Sequence, residues 1–438
     1  MNLRFDWKTE YRSKKITAEE AAKYVESGDY VGVQGGTGIP PAFGEALGKR
    51  SGELSNVTVC QGFATALHEY MKPERKESFR VESIFIGPAE RFCLQHANAD
   101  FVPAHLGNLG GWLDERRPRV VATMATPPDE EGFMNLSCFG GLSTMETFRN
   151  AEILIVEVNK NIPWLCTDTL VLHVSEVTAI IENDSPLFEF PEIPITAVEE
   201  KIAGHIASLV GDGSTLQLGL GGLANCIGHF LKDKKDLGIH SEVVSNSIME
   251  LVKCGSVNNS MKNHLTGICA YTFCIGTKGL MEFLDRNSGF RAFEIGYLND
   301  PNIIARNDNF VSINNALMVD MTGQVASESI GHTQYSATGG QAAFVRGAQM
   351  SKGGKSIIAL PSTYTGKDSS TGSRIMTSFP PGTAVTTTRC DVDWIATEYG
   401  AVRLKNEPVS GRVKKLISIA HPDFRDGLTF EAKKLGWI

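Results

Sequence analysis

The stretch Thr215-Leu216-Gln217-Leu218-Gly219-Leu220-Gly221-Gly222-Leu223-Ala224 reads as a strand that feeds a glycine turn and then a helix. A similar unit stands earlier in the chain. Ile195-Thr196-Ala197 opens a helix that ends at Gly211-Asp212 before this strand, and Ile16-Thr17-Ala18 opens one that ends at Gly28-Asp29. A strand then runs into Gly35-Gly36-Thr37-Gly38-Ile39-Pro40, and a shift of 184 residues places Gly35, Gly38, Gly44 and Leu47 on Gly219, Gly222, Gly228 and Leu231. Each half is therefore expected to start with the same helix, strand, glycine turn and helix.

Further β-branched runs lie at 30–33, 81–86, 120–124, 153–158, 355–360 and 393–397, several of them apolar at consecutive positions. Consecutive apolar residues suit strands covered on both faces, the mark of parallel sheets. Helical stretches at 17–26, 197–209 and 226–231 alternate with them. The expected class is α/β: two similar open α/β domains related by an internal pseudo-repeat. Residues 182–194 carry Pro186, Pro191 and Pro194 and read as a connector, which sets the domains at 1–194 and 195–438.

Composition bounds the function. The 438 residues are 42% hydrophobic and 21% charged, ordinary for a globular enzyme of two or three domains. Lys and Arg total 42 against 50 Asp and Glu, and no basic run exceeds Lys232-Asp233-Lys234-Lys235, so nucleic acid and anionic membrane are not expected partners. Nine cysteines without a C-x-x-C pair point to a reducing compartment and to no metal site. They read as small apolar residues within strands and helices. The N-terminus is charged where a signal peptide is apolar, and no run of 18 apolar residues occurs, so a cytoplasmic location is expected.

Several residues could carry chemistry. Glycines in the 219–222 turn let a ligand approach the backbone, and free N–H groups at the following helix start attract a phosphate or an oxyanion. Gly219-x-Gly221-x-x-Ala224 also fits the dinucleotide fingerprint, with Glu242 about 20 residues on, which suggests a nicotinamide-dependent oxidoreductase. Glu242 itself sits in the strand-like run Leu237-Gly238-Ile239-His240-Ser241-Glu242-Val243-Val244. A solvated strand-end glutamate is the ordinary reading of such a residue; the alternative is burial, which would raise its pKa and strip its water, making it a nucleophile or base. His240 shares its strand face and reads as a structural histidine. Ser336-Ala337-Thr338-Gly339-Gly340-Gln341 is a second glycine turn able to aim an N–H at an oxyanion, or else a plain hairpin. Tyr297-Leu298-Asn299-Asp300-Pro301 and Ser312-Ile313-Asn314-Asn315 offer amides that could orient a carboxylate or thioester. No G-x-S-x-G, H-E-x-x-H or P-loop motif is present.

Seven ordered motifs resemble the acetyl-CoA hydrolase/transferase family, in its 4-hydroxybutyrate CoA-transferase branch of class I CoA-transferases. They are Pro127-Pro128-Asp129-Glu130-Glu131-Gly132-Phe133, Val156-Glu157-Val158-Asn159-Lys160-Asn161-Ile162-Pro163, Asp212-Gly213 leading into Gln217-Leu218-Gly219-Leu220-Gly221, Leu237 to Glu242, Gly339-Gly340-Gln341, Thr397-Glu398-Tyr399-Gly400 and Ile419-Ala420-His421-Pro422-Asp423-Phe424-Arg425. The resemblance spans nearly the whole chain and displaces the dinucleotide reading.

It implies that Glu242 attacks an acyl-CoA and is converted through an anhydride to a glutamyl-CoA thioester, in a ping-pong cycle. It implies further that Gln217, Gly219, Leu220, Gly221, Gly222, Gly339, Gly340 and Gln341 serve coenzyme A and the oxyanions. Asn299 would orient the carboxylate substrate, and Asn314, Ser336 and Lys367 would contact coenzyme A. The substrates implied are acetyl-CoA or a C4 acyl-CoA and a short-chain carboxylate. No metal is implied; a homodimer or higher homo-oligomer is, with the site between two α/β halves. An acyl-CoA hydrolase with the same intermediate and a non-catalytic CoA sensor are the alternatives. Ala224, Ser245-Asn246-Ser247 and Ala343 depart from the branch's usual residues, and the last two bear on the substrate rather than the chemistry.

Overall fold

A computed structural model describes residues 6–190, 194–366 and 368–438. Both halves start with the same local device. Thr17 Oγ1 accepts the Glu20 N–H at 3.1 Å while Glu20 Oε2 accepts the Thr17 N–H at 2.9 Å, and Thr196 and Glu199 repeat the exchange at 3.2 and 2.8 Å. Each capping box satisfies donors that a first helical turn cannot pair itself. The helices differ in length: Ala197–Leu209 is as expected, whereas Ala18–Ala22 falls short of the expected 17–26. It stops because the chain turns at Gly28 (φ +86°), with the Asp29 carboxylate accepting the Glu26 N–H at 2.8 Å.

The first sheet has seven parallel strands: β1 (Tyr30–Val33), β2 (Val57–Gln61), β3 (Phe79–Ser83), β4 (Ala99–Phe101), β5 (Val120–Ala125), β6 (Ile153–Val158) and β7 (Ala179–Glu182). Their spatial order is β4-β3-β2-β1-β5-β6-β7. Every residue of β5 is buried, as the consecutive apolar pattern requires of a strand covered on both faces. The strand expected at 81–86 is shifted to Phe79–Ser83, where Phe79 and Val81 join the core with Val59 and Phe43.

The second sheet comprises β8 (Thr215–Leu218), β9 (Gly238–Ile239), β10 (Phe310–Asn315), β11 (Lys355–Ala359), β12 (Trp394–Thr397) and β13 (Gly400–Arg403), ordered β9-β8-β10-β11-β12-β13. All pairs are parallel except β12 with β13. Ile358, Ile395, Val345 and Leu416 build its core. The helices that follow the two glycine turns are α1 (Pro41–Lys49) and α2 (Gly222–Phe230). The second begins four residues before the expected 226, because Gly221 at φ +104° lets the chain enter the helix directly from the turn.

The chain forms two compact units, Met1–Phe190 with Tyr271–Tyr297, and Pro191–Ala270 with Leu298–Ile438. Residues 271–297 thus return to the first unit, and residues 191–193 of the expected connector lie outside the described ones. The returning segment belongs there by packing. Phe273 stacks on Phe139 with centroids 5.1 Å apart, the Cys138 thiol donates to Met281 Sδ at 3.5 Å, and Asp285 Oδ1 accepts the Trp164 N–H at 2.7 Å. Not all cysteines are the small core residues expected, since Cys254 and Cys390 are exposed. Among the described residues no helix is long and apolar enough to cross a membrane.

Candidate active site

Strand register lays the candidate residues along one edge of the second sheet. Leu216 pairs with Ile239, and Leu218 pairs with Ile313. Gly219 and Asn314 follow the second pair directly, and Glu242 comes three residues after the first, so all three lie at the carboxyl ends of three adjacent parallel strands. Neighbouring strands are about 4.8 Å apart. This edge of a parallel sheet is where α/β proteins bind ligands, because turns and helix starts converge there.

Glu242 does not lie inside one strand, as the sequence suggested. β9 ends at Ile239, and the chain bends at Glu242 before the short strand Val243–Val244. The cause is a side chain that takes over the ladder: Ser241 Oγ accepts the Leu218 N–H at 3.3 Å and donates to the Leu218 carbonyl at 3.0 Å. With β8 paired in this way, the run leaves the sheet and presents Glu242 at the bend.

The carboxylate meets two of the other predicted residues. Glu242 Oε2 accepts from Asn299 Nδ2 at 2.7 Å, and a methyl on Gly340 would overlap that same oxygen and lie 2.8 Å from Asn299 Nδ2. Burial pushes the Glu242 carboxyl up to about 7, against the smaller downward pull of the Asn299 bond. Asn299 Oδ1 is buried without a hydrogen-bond partner. Asp300 caps the short helix α3 (Pro301–Ile304) by accepting the Asn302 N–H at 2.8 Å.

The second glycine turn is not a hairpin. Gly339 at φ +59° turns the chain into α4 (Gln341–Met350), with Gly340 as its N-cap. Gln341 takes no part in the constellation, for its Nε2 donates to Thr387 Oγ1 at 2.9 Å and ties the helix start to another segment. Ser336 is likewise occupied locally: its N–H donates to the Glu328 carbonyl at 2.9 Å and its own carbonyl accepts from Gln334 Nε2 at 2.8 Å. Gln217 and Asn314 are brought together, Gln217 Oε1 accepting from Asn314 Nδ2 at 3.0 Å and from the Ile313 N–H at 3.2 Å. Lys367 lies outside the described residues.

The first glycine turn of this unit is open. A methyl on Gly221 would meet nothing within 4 Å, and the nearest atom to one on Gly219 would be the Ile313 carbonyl oxygen at 4.0 Å. No side chain caps the start of α2, so its first N–H groups are available to an acceptor from outside the chain. Gly222 is closed in by Glu199, whose Oε1 would lie 2.7 Å from an added methyl.

Two neighbours of Glu242 were undervalued by the sequence reading. His240 is fully buried, its Nε2 donating to the Leu298 carbonyl at 2.8 Å, and Ser241 clamps Leu218 as described. The available signal was three consecutive polar residues closing an apolar run, because buried polar groups need partners. Among the described residues no group of three or more His, Cys, Asp or Glu could hold a metal ion. A cavity of about 630 Å³ in the first unit, lined in part by Lys160, Pro186, Phe188 and Lys278, contains none of the predicted site residues.

Comparison with known proteins places the chain in a family. The model of the acetyl-CoA hydrolase/transferase N-terminal domain matches residues 1–190, and that of the C-terminal domain of the same family matches 276–432. The 4-hydroxybutyrate coenzyme A transferase of Clostridium kluyveri is 40% identical, over 98% of this chain and 99% of its own. The succinyl-CoA:cyclohexane-1-carboxylate CoA transferase of Geobacter metallireducens is 41% identical, over 100% of this chain and 99% of its own. Among solved structures, that of RipA from Yersinia pestis superposes with a TM-score of 0.93 at 35% identity, over 99% of this chain and 100% of its own.

Proposed function

The chain belongs to the acetyl-CoA hydrolase/transferase family and is a CoA-transferase acting between an acyl-CoA and a carboxylate, and we propose that it works through a thioester on Glu242. The observation that carries the proposal is the Glu242 carboxylate, drawn out of water yet held by one amide donor at 2.7 Å, at the carboxyl edge of a parallel sheet. A desolvated carboxylate is a better nucleophile than a hydrated one, and a single donor positions it without quenching its charge.

The cycle needs no net proton and no water. A Glu242 oxygen attacks the thioester carbonyl carbon, the C–S bond breaks, and an acyl-glutamyl anhydride forms as the thiolate leaves. The thiolate then attacks Glu242 Cδ and expels the first acid as its carboxylate, leaving the glutamyl-CoA thioester. The second carboxylate attacks Cδ and displaces the thiolate, which takes the new acyl group from the mixed anhydride and frees Glu242. The substrate thioester and the glutamyl-CoA thioester have comparable transfer potential, so each half-reaction is nearly balanced, with the anhydrides as the higher-energy species between them. In this reading Asn299 Nδ2 and the backbone at Gly340, both against Oε2, stabilise the oxyanions at Cδ. The open turn at Gly219, Leu220 and Gly221 and the uncapped start of α2 receive the coenzyme A moiety.

For substrates we propose acetyl-CoA or a C4 acyl-CoA, such as butyryl- or 4-hydroxybutyryl-CoA, with a short-chain acid. The similarity to a 4-hydroxybutyrate transferase supports this choice, while the equal similarity to a cyclohexane-1-carboxylate transferase makes bulkier acids the first ones to add to the panel. A homo-oligomer and two domains divided near residue 194 remain part of the proposal.

The test is intact-protein mass spectrometry after incubation with acetyl-CoA or butyryl-CoA, followed by peptide mapping. A CoA adduct on Glu242 that discharges on adding butyrate or acetate is expected. Absence of any adduct across the acyl-CoA panel, with turnover retained in Glu242→Gln, would overturn the nucleophile assignment. Rapid discharge without an acceptor would instead indicate hydrolysis.

A further inference from the structure

The residues before Glu242 fix its strand in two independent ways. Lys262 Nζ donates to the Ile239 carbonyl at 2.8 Å and to the Ile268 carbonyl at 2.6 Å, and Ser241 Oγ holds both backbone groups of Leu218. The strand is thus tied to its sheet without the His240 ring. The imidazole reaches elsewhere: Nε2–H donates to the Leu298 carbonyl at 2.8 Å, one residue before Asn299, whose Nδ2 holds Glu242 Oε2 at 2.7 Å. Contacts and chain close a small ring that runs from Glu242 back to His240, across to Leu298, on to Asn299 and back to the carboxylate.

We infer that His240 is a positioning residue, one that sets the Asn299 amide against the Glu242 carboxylate; the inference rests on Glu242 being the nucleophile. Packing alone does not account for the residue. The ring is 0% exposed and meets Phe310 and Phe344 edge-on at 6.0 and 6.4 Å, a place that an apolar side chain would fill. Because a carbonyl only accepts, the proton sits on Nε2, and Nδ1 is left buried with no hydrogen-bond partner. A buried unpaired nitrogen is destabilising, so what the imidazole offers that an apolar residue does not is the bond to Leu298. That bond acts on the one backbone segment from which the carboxylate takes its donor.

The test compares His240→Gln, whose amide can take the place of Nε2, with His240→Met, which fills similar space without a donor. Steady-state rates with butyryl-CoA and acetate are read, and thermal melting followed by circular dichroism reports the fold. His240→Met is expected to lower kcat roughly 30-fold with KM for butyryl-CoA within about 3-fold of native, since misplacement by a fraction of an ångström acts on the chemical step. His240→Gln should recover kcat to within about 5-fold of native, and His240→Met added to Asn299→Ala should slow that variant by less than about 2-fold.

A His240→Met kcat within about 3-fold of native, a His240→Gln variant as slow as His240→Met, or multiplicative losses in the double variant would each overturn the inference. If His240→Met does not fold, His240→Asn, whose shorter amide cannot reach Leu298, takes its place under the same criteria. Glu242→Gln is assayed alongside to keep the two readings apart. Turnover retained in it brings down the nucleophile reading and this inference together, whereas its inactivity with the His240 pattern missing brings down the inference alone.

Discussion

In the first unit Phe63, Gly35, Met124 and Glu157 form one row across β2, β1, β5 and β6, and in the second Glu242, Gly219, Asn314 and Ile358 form the matching row across β9, β8, β10 and β11. The carboxylate and the apolar residue have changed ends. Around the first turn every space is filled. A methyl on Gly36 would overlap the Phe139 ring, and Phe63 packs on Phe139 and Phe85 at centroid distances of 5.6 and 5.4 Å. The start of α1 is taken by Glu157, which accepts the Ala42 and Phe43 N–H groups at 3.3 and 3.1 Å and Asn183 Nδ2 at 2.7 Å. Around the second turn Gly221 is open, the helix start has no side-chain cap, and Glu242 is held by the Asn299 amide. The repeated backbone makes a place where ligands can bind; whether it is a site depends on which end of the row carries the charge and on whether aromatic rings close the turn.

The contrast is broken most severely at Gly340. A methyl there overlaps Glu242 Oε2, so Gly340→Ala must push the carboxylate off Asn299. Turnover is expected to fall roughly 100-fold or more, with native-like melting, because positioning is a large part of the barrier and the helix start itself tolerates alanine. Steady-state kinetics and a thermal melt check both halves of that statement. A variant of near-native kcat would mean that the carboxylate works from a different position.

Glu157 sharpens the comparison from the other side. It is fully buried where Glu242 is half-buried, and burial raises its carboxyl in the same direction, but its hydrogen bonds to Ala42, Phe43 and Asn183 are structural. Glu157→Ala leaves those donors unpaired and should cost about 2–4 kcal/mol in urea unfolding. Per folded molecule kcat should stay near native. The glycines divide in the same way. Gly36→Ala combines a left-handed backbone with overlap against Phe139 and should cost about 2–3 kcal/mol of stability. Gly221→Ala meets no atoms and should cost about 1 kcal/mol, its main effect being a higher KM for acyl-CoA.

Much of this was legible because it rests on local patterns. The repeat was visible from Gly35, Gly38, Gly219 and Gly222, and the parallel sheets from strands such as Val120–Ala125 whose residues are apolar in succession. Local pattern left Glu242 open between a buried carboxylate and a solvated one, and its pairing with Asn299 and Gly340 followed from the family resemblance rather than from any residue near it in sequence. What escaped depends on long-range partners. Nothing near Gln341 in sequence says that its amide goes to Thr387, and nothing near His240 says that its ring reaches Leu298. The return of 271–297 to the first unit is set by Phe139, Cys138 and Trp164, more than 100 residues earlier. Strand and helix bounds moved wherever a side chain took the place of a backbone partner, as Ser241 does at the end of β9.

A pH-dependent effect separates the two carboxylates. The Glu242 carboxyl titrates near 7 in the folded chain and near 4.5 when exposed by unfolding. Between those values the folded state binds more protons than the unfolded one, so the contribution of Glu242 to stability is most favourable below pH 4.5 and is lost as pH rises through 7. Glu242→Gln removes the charge and should therefore be more stable than the native chain at pH 8, by about 1–3 kcal/mol after allowing for its partial exposure. The gain should shrink steadily as pH falls and vanish near pH 4.5. Urea unfolding at pH 8, 6 and 5 measures it, with Glu157→Ala as the opposing control at the same pH values. Loss of stability in Glu242→Gln at pH 8 would place Glu242 with Glu157, as a carboxylate kept to hold the fold, and would erase the distinction between the two rows.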